Sequence, residues 1–141
     1  MIRSASAVWQ GALRDGKGDM KVQSGAFEVP FSFGTRFGEV KGTNPEELIA
    51  AAHAGCFSMA FSGALGQAGF TPEWVATTAK VSINQVEGGF GITKIELQME
   101  AKVLGIDQAT FDQIAQGAKA GCPISKALAA VPEITLEAKL V

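Results

Sequence analysis

Asn44-Pro45-Glu46-Glu47-Leu48-Ile49-Ala50-Ala51-Ala52-His53-Ala54-Gly55-Cys56-Phe57-Ser58-Met59-Ala60-Phe61-Ser62 is the stretch on which the fold turns. Asn44 suits an N-cap, Pro45 the first helical position and Glu47 the third, a capping-box-like pattern with acidic residues in the first turn. The spacing predicts a helix from about Pro45 to Gln67. Its middle is apolar nearly all round and rich in small residues, so it is expected to be buried on most sides. The length also suits a membrane span, which needs roughly 20 apolar residues. His53, Ser58 and Ser62 dilute the segment, however, and the flanking sequence reads as soluble β structure. The expectation is the central helix of a dimeric core, with no membrane partner.

Outward from that helix the pattern changes period. On the N-terminal side Ser6–Leu13, Met20–Gln23 and Phe27–Phe33 are short, partly alternating segments between glycine-bearing turns, an antiparallel meander. A glycine-punctuated loop, Gly34–Gly42, follows and carries Arg36. On the C-terminal side Trp74–Asn84 and Phe90–Val103 alternate across a Glu87-Gly88-Gly89 turn, which marks a hairpin. Asp107 caps a helix with Phe111, Ile114, Ala115 and Ala118 at helical spacing, ending near Gly121. Pro123 opens a short helix, and Glu133–Leu140 closes the chain as an alternating strand. The fold class is α+β with antiparallel strands around a buried helix, expected as a single domain over residues 1–141.

Composition excludes several classes of function. Charged residues make up 18% of the chain and hydrophobic ones 47%, the profile of an ordered protein. With 12 Lys+Arg against 14 Asp+Glu and no basic run, there is no electrostatic footprint for nucleic acid or for an anionic membrane. The first residues lack the apolar core of a signal peptide, so the expected compartment is the cytoplasm. Two cysteines and one histidine are too few for a structural zinc site. Gly34, Gly38 and Gly42 lack the spacing and the lysine of a phosphate-binding loop, and Gly88-Gly89-Phe90-Gly91 lies in a hairpin, so both clusters read as turns.

The chemistry-bearing residues are Cys56 and Cys122, the only two cysteines, too far apart for a local Cys-Xaa-Xaa-Cys pair. In a reducing compartment such a pair is catalytic, redox-sensing or simply buried. Cys122 precedes Pro123 as an expected N-cap residue, where the positive end of a helix dipole favours the thiolate. Cys56 lies mid-helix, gains nothing from a helix start, and is pushed up in pKa by apolar burial, so as a nucleophile it needs a cation brought to it. Each thiol also has a bland reading as a small packed hydrophobe. His53, one turn before Cys56, invites a Cys-His reading, yet a lone histidine in an apolar helix is expected to be a hydrogen-bonded core residue.

The run Gly42-Thr43-Asn44-Pro45-Glu46-Glu47 through Cys56, joined to Ala120-Gly121-Cys122-Pro123-Ile124-Ser125 some sixty residues after Cys56, closely resembles the OsmC/Ohr family of osmotically inducible and organic-hydroperoxide-resistance proteins. The resemblance spans almost the whole chain. It includes Thr35-Arg36-Phe37 and the strand from Gly89 to Ile95, and Gly-Thr-Asn-Pro-Glu-Glu with His53 looks like the OsmC branch. It implies an OsmC-like fold, an intertwined homodimer, and a thiol peroxidase that reduces organic hydroperoxides and, more slowly, hydrogen peroxide. By position Cys56 corresponds to the peroxidatic thiol and Cys122 to the resolving one, with Arg36 and Glu46 holding each other and the reactive thiolate. A sulfenic acid and then a Cys56–Cys122 disulfide are implied, regenerated by an external dithiol for which the resemblance suggests the lipoyl type. No metal or organic cofactor is implied.

Arg36 suits its role because a guanidinium is a permanent charge with a rigid fork of donors. Phe27, Phe31, Phe33, Phe37, Phe57 and Phe61 are expected mostly in the core, some of them lining an apolar mouth for a bulky hydroperoxide. Two other readings stay open: a cysteine-based redox sensor that oxidises without turnover, and a dimeric binding protein with inert thiols.

Overall fold

The computed structural model describes residues 1–141. Its chain divides into two compact units, Met1–Leu48 and Ile49–Val141.

The first unit is built on the expected meander. Strands β1 (Ala5–Gln10), β2 (Lys17–Val22) and β3 (Glu28–Ser32) pair antiparallel in the order β1-β2-β3. Tight turns join them, with Gly11 and Gly25 at positive φ, where a side chain would be strained. The segment after β3 differs from the expected loop. Phe33–Phe37 forms a short helix, α1, because Ser32 and Thr35 cap it reciprocally: Thr35 N–H donates to Ser32 Oγ at 3.2 Å and Ser32 N–H donates to Thr35 Oγ1 at 2.9 Å.

The long helix α2 runs Pro45–Gln67, as its cap and apolar run predict. Glu47 N–H donates to Asn44 Oδ1 at 2.8 Å, which satisfies one of the free donors of the first turn. The other half of the capping box is absent, since the Glu47 carboxylate meets the Thr43 hydroxyl instead.

In the second unit β4 (Pro72–Val86) and β5 (Gly89–Val103) form the predicted hairpin, tightened at Gly88, whose φ is +87°. Strand β5 alternates strictly along its second half: Ile95, Leu97, Met99, Ala101 and Val103 are buried. Onto that face pack Phe57, Phe61 and Leu65 of α2 and Phe111, Ala115 and Ala118 of α3 (Gln108–Gly121). The Phe61 and Phe111 rings meet edge to face at 5.3 Å and 84°. Asp107 caps α3, accepting from Thr110 N–H at 2.9 Å. A short helix α4 (Pro123–Ala127) follows, then β6 (Glu133–Leu140).

One expectation is corrected here. Strand β6 pairs with β5 in parallel, so the second sheet, β4-β5-β6, is mixed. The reason is topological: α3 and α4 form the crossover that carries the chain back along the sheet. Helix α2 is buried on one stripe only, at His53, Phe57, Phe61 and Leu65, while Ala51, Ala52, Gly55, Met59 and Gly63 stay exposed. It is long and apolar enough to cross a membrane by length and composition, yet its large side chains fill the unit's core.

Candidate active site

Cys56 sits in the middle of α2, half-buried, and Cys122 is fully buried at the junction of α3 and α4. Their sulfurs are 3.1 Å apart and unbonded, within hydrogen-bond reach of each other. The backbone of Cys122 makes this placement. Its N–H closes α3 on Ala118 O at 2.8 Å, and its carbonyl accepts from Lys126 N–H at 3.0 Å as α4 begins at Pro123. One residue thus ends one helix and starts the next.

The two sulfurs titrate as a pair. Burial pushes the Cys56 thiol up, and its hydrogen bond with Cys122 adds to that. Burial also acts to raise Cys122, but it is outweighed. The Cys56 hydrogen bond, the Ser125 N–H, the Ser125 hydroxyl and the Ile124 N–H together leave Cys122 below the ordinary thiol value. The pair therefore holds negative charge best on its buried member, and half-buried Cys56 needs an outside cation to react as a thiolate at neutral pH.

In the first unit Arg36 and Glu46 form a forked ion pair. Arg36 Nε donates to Glu46 Oε1 at 3.1 Å and Oε2 at 3.2 Å, and Nη2 donates to Oε1 at 2.7 Å. The Glu46 side chain is 9% exposed and that of Arg36 37%, so the carboxylate is fixed and the guanidinium keeps a free face. Asn44 Nδ2 donates to Thr35 O at 3.1 Å, tying α1 to the start of α2 and holding the pair in register. Arg36 lies 5.0 Å from the centre of the Phe37 ring. Beside it opens a cavity of about 210 Å³ lined by Trp9, Leu13, Phe31, Phe33, Arg36 and Phe37. Three of the phenylalanines expected at an apolar mouth thus stand here, whereas Phe57 and Phe61 are core.

His53 lies in the core, as expected. Its Nε2 is 2.8 Å from Ser125 Oγ and its Nδ1 has no partner. Burial lowers its pKa below the ordinary imidazole value. Sequence reasoning passed over Ser125, Trp9 and Leu13. Only the position of Ser125, third after a Cys-Pro helix start, could have drawn attention to it. No group of three His, Cys, Asp or Glu side chains gathers as a metal site.

The family described as OsmC-like protein matches residues 38–137. Peroxiredoxin OsmC of Escherichia coli strain K12 is 55% identical over 139 residues, which is 98% of this chain and 96% of that protein. The organic hydroperoxide resistance protein of Xanthomonas axonopodis pv. citri is 35% identical over 96 residues, 67% of this chain and 66% of that one. Among solved structures, an organic hydroperoxide resistance protein from Elizabethkingia anophelis superimposes with a TM-score of 0.72 at 25% identity, covering 99% of this chain and 96% of the other. An OsmC-like protein from Mycoplasma pneumoniae shares the fold, with a TM-score of 0.77 at 17% identity over 100% of this chain and 98% of that one.

Proposed function

This chain belongs to the OsmC-like protein family and is a peroxidase-type oxidoreductase for organic hydroperoxides, and we propose that Cys56 reduces the peroxide while Cys122 resolves the oxidised product. The observation that carries this reading is the 3.1 Å approach of two unbonded sulfurs, one half-exposed and one buried.

The cycle balances as follows. The Cys56 thiolate attacks the terminal oxygen of the hydroperoxide, the O–O bond breaks, and the alkoxide leaves as an alcohol with a proton from solvent. Cys56 is then a sulfenic acid. The Cys122 thiolate attacks its sulfur, hydroxide departs and is protonated to water, and a Cys56–Cys122 disulfide remains. An external dithiol, of the lipoyl type that the family resemblance suggests, exchanges with that disulfide and restores both thiols. The apolar cavity beside Arg36 takes the organic group of the substrate, while the free face of the guanidinium holds the thiolate.

The active form in this reading is a homodimer with composite sites. The family resemblance implies sites at the subunit interface, and in this reading the Arg36–Glu46 pair of one copy serves the thiols of the other. The exposed stripe of Ala51, Ala52, Gly55, Met59 and Gly63 along α2 supports the same arrangement, since small residues allow close approach of another chain. We place the cycle in the cytoplasm, where dithiol reductants are maintained, and in defence against oxidative and osmotic stress.

The test is steady-state consumption of cumene hydroperoxide with dihydrolipoamide, run beside hydrogen peroxide and beside Cys56→Ser. Turnover faster with the organic peroxide and lost in Cys56→Ser is expected. One disulfide formed without turnover would replace the enzyme by a redox sensor, and unreactive thiols would end the reading.

A further inference from the structure

His53 and Ser125 form a buried polar contact that the peroxidase cycle leaves unused, although both adjoin its thiols. His53 is three residues before Cys56 on α2, and Ser125 is three residues after Cys122 on α4. The contact closes a ring from α2 through Ser125 and Cys122 back to Cys56.

The direction of the hydrogen bond follows from what surrounds the imidazole. Both residues are buried, and His53 Nδ1 has no partner. A neutral imidazole carries one proton. A buried N–H left unpaired is more costly than a bare lone pair, so the proton belongs on Nε2. Nε2–H then donates to Ser125 Oγ, and the serine must point its own hydroxyl proton elsewhere. As a thiol Cys122 lies against the Cys56 sulfur and makes no cap hydrogen bond to α4. Once ionised it becomes an acceptor, and as the N-cap of α4 it stands opposite Ser125, the third residue of that helix.

We propose that His53 is a positioning residue which, by donating to Ser125, turns the serine hydroxyl proton onto the Cys122 sulfur and readies that thiolate to attack the oxidised Cys56. The link to catalysis rests on the resolving role assigned to Cys122 above. No proton is transferred in this role; His53 removes the alternative in which Ser125 donates to the imidazole and is lost to the sulfur. The titratable and charged groups around the pair are Cys56 and His53 on α2, Lys119 on α3 and Lys126 on α4, the two lysines lining a cavity of about 420 Å³ with Ser125. Both lysines are common to every variant compared below, so their influence cancels.

The test follows the thiolate absorbance of Cys122 against pH in a Cys56→Ser background, where it is the single thiol. His53→Leu, which fills the volume without a donor, and Ser125→Ala are each expected to raise the midpoint. The double variant should raise it no further than Ser125→Ala alone, because one residue acts through the other. His53→Gln, whose amide nitrogen falls near the place of Nε2, should restore the parent midpoint. An unchanged midpoint in His53→Leu, or shifts that simply add in the double variant, would overturn the proposal. With both cysteines present, His53→Leu should slow disulfide closure at neutral pH about fivefold, the worth of one hydrogen bond, without slowing sulfenic acid formation. Should no sulfenic acid form in the parent protein, the peroxidase cycle falls while the titration still decides the role of His53.

Discussion

Cys56 and Cys122 are 66 residues apart in the chain and 3.1 Å apart at their sulfurs. One is reachable from solvent and the other is not. In the proposed cycle that asymmetry divides the work, because a peroxide can reach only the first thiol and the second needs to reach only its neighbour.

Replacing the buried thiol separates the two half-reactions. Cys122→Ser keeps the first reduction of peroxide and loses dithiol-dependent turnover, since the sulfenic acid has no partner. Mass spectrometry after excess cumene hydroperoxide should find Cys56 carried on to the sulfinic acid. A variant that still cycled with full activity would show that resolution needs no Cys122.

The Arg36–Glu46 fork depends on shape as well as charge. Arg36→Lys keeps the cation but cannot hold both carboxylate oxygens and the thiolate with one rigid group. It should lower kcat/KM for cumene hydroperoxide by roughly tenfold to a hundredfold, the range for one charge-assisted hydrogen bond. The fall should be matched by slower peroxide-dependent loss of free thiol in a single turnover.

In the proposed cycle the aromatic wall beside Arg36 sets the specificity for bulky peroxides. Phe33→Ala should weaken kcat/KM for cumene hydroperoxide about fivefold to thirtyfold through lost apolar contact and leave hydrogen peroxide nearly unaffected. Equal losses for both substrates would remove the cavity beside Arg36 from the substrate path.

Acid should act on stability through His53. Burial lowers its pKa below the ordinary value of 6.5, so the unfolded chain binds a proton that the folded chain refuses. The contribution is whole above the unfolded pKa and is lost as the pH falls from about 6.5 toward the folded value. Thermal unfolding at pH 7 and pH 5 should show the native protein losing a few degrees more than His53→Gln, which has no such proton to take up. Parallel losses would assign the acid sensitivity to other groups.

The exposed stripe of α2 and the composite site stand or fall together. Met59 is 78% exposed in the chain, and Met59→Glu should dissociate the proposed dimer by charge burial, seen in sedimentation, with activity falling alongside. Mixing and refolding Cys56→Ser with Arg36→Ala should restore one intact site per mixed dimer. Absence of any recovery in confirmed mixed dimers would place Arg36 and Cys56 of one site in the same copy.

Much of the fold was legible because its signals are local. Asn44, Pro45 and the apolar run after them set α2; Asp107 set α3; the alternation from Ile95 to Val103 set the inner strand of the second sheet. Helix α1 was missed because its signal is a reciprocal pair of hydroxyls, Ser32 and Thr35, hidden in a glycine-rich run that otherwise reads as loop. The parallel pairing of β6 was missed because period-two alternation says which face of a strand is buried and nothing about its direction.

By itself the sequence disclosed every element but α1, the starts of the other three helices, the two thiols and, through its family resemblance, the residues to watch. Caps and hydrophobic periodicity act within a few residues, so they survive in one dimension. Tertiary structure alone decided which sulfur is buried, how Ser125 comes to face His53, and that the guanidinium beside Glu46 opens onto an aromatic cavity. Those are matters of distance between segments remote in the chain, and packing brings such segments together at positions that no local pattern encodes.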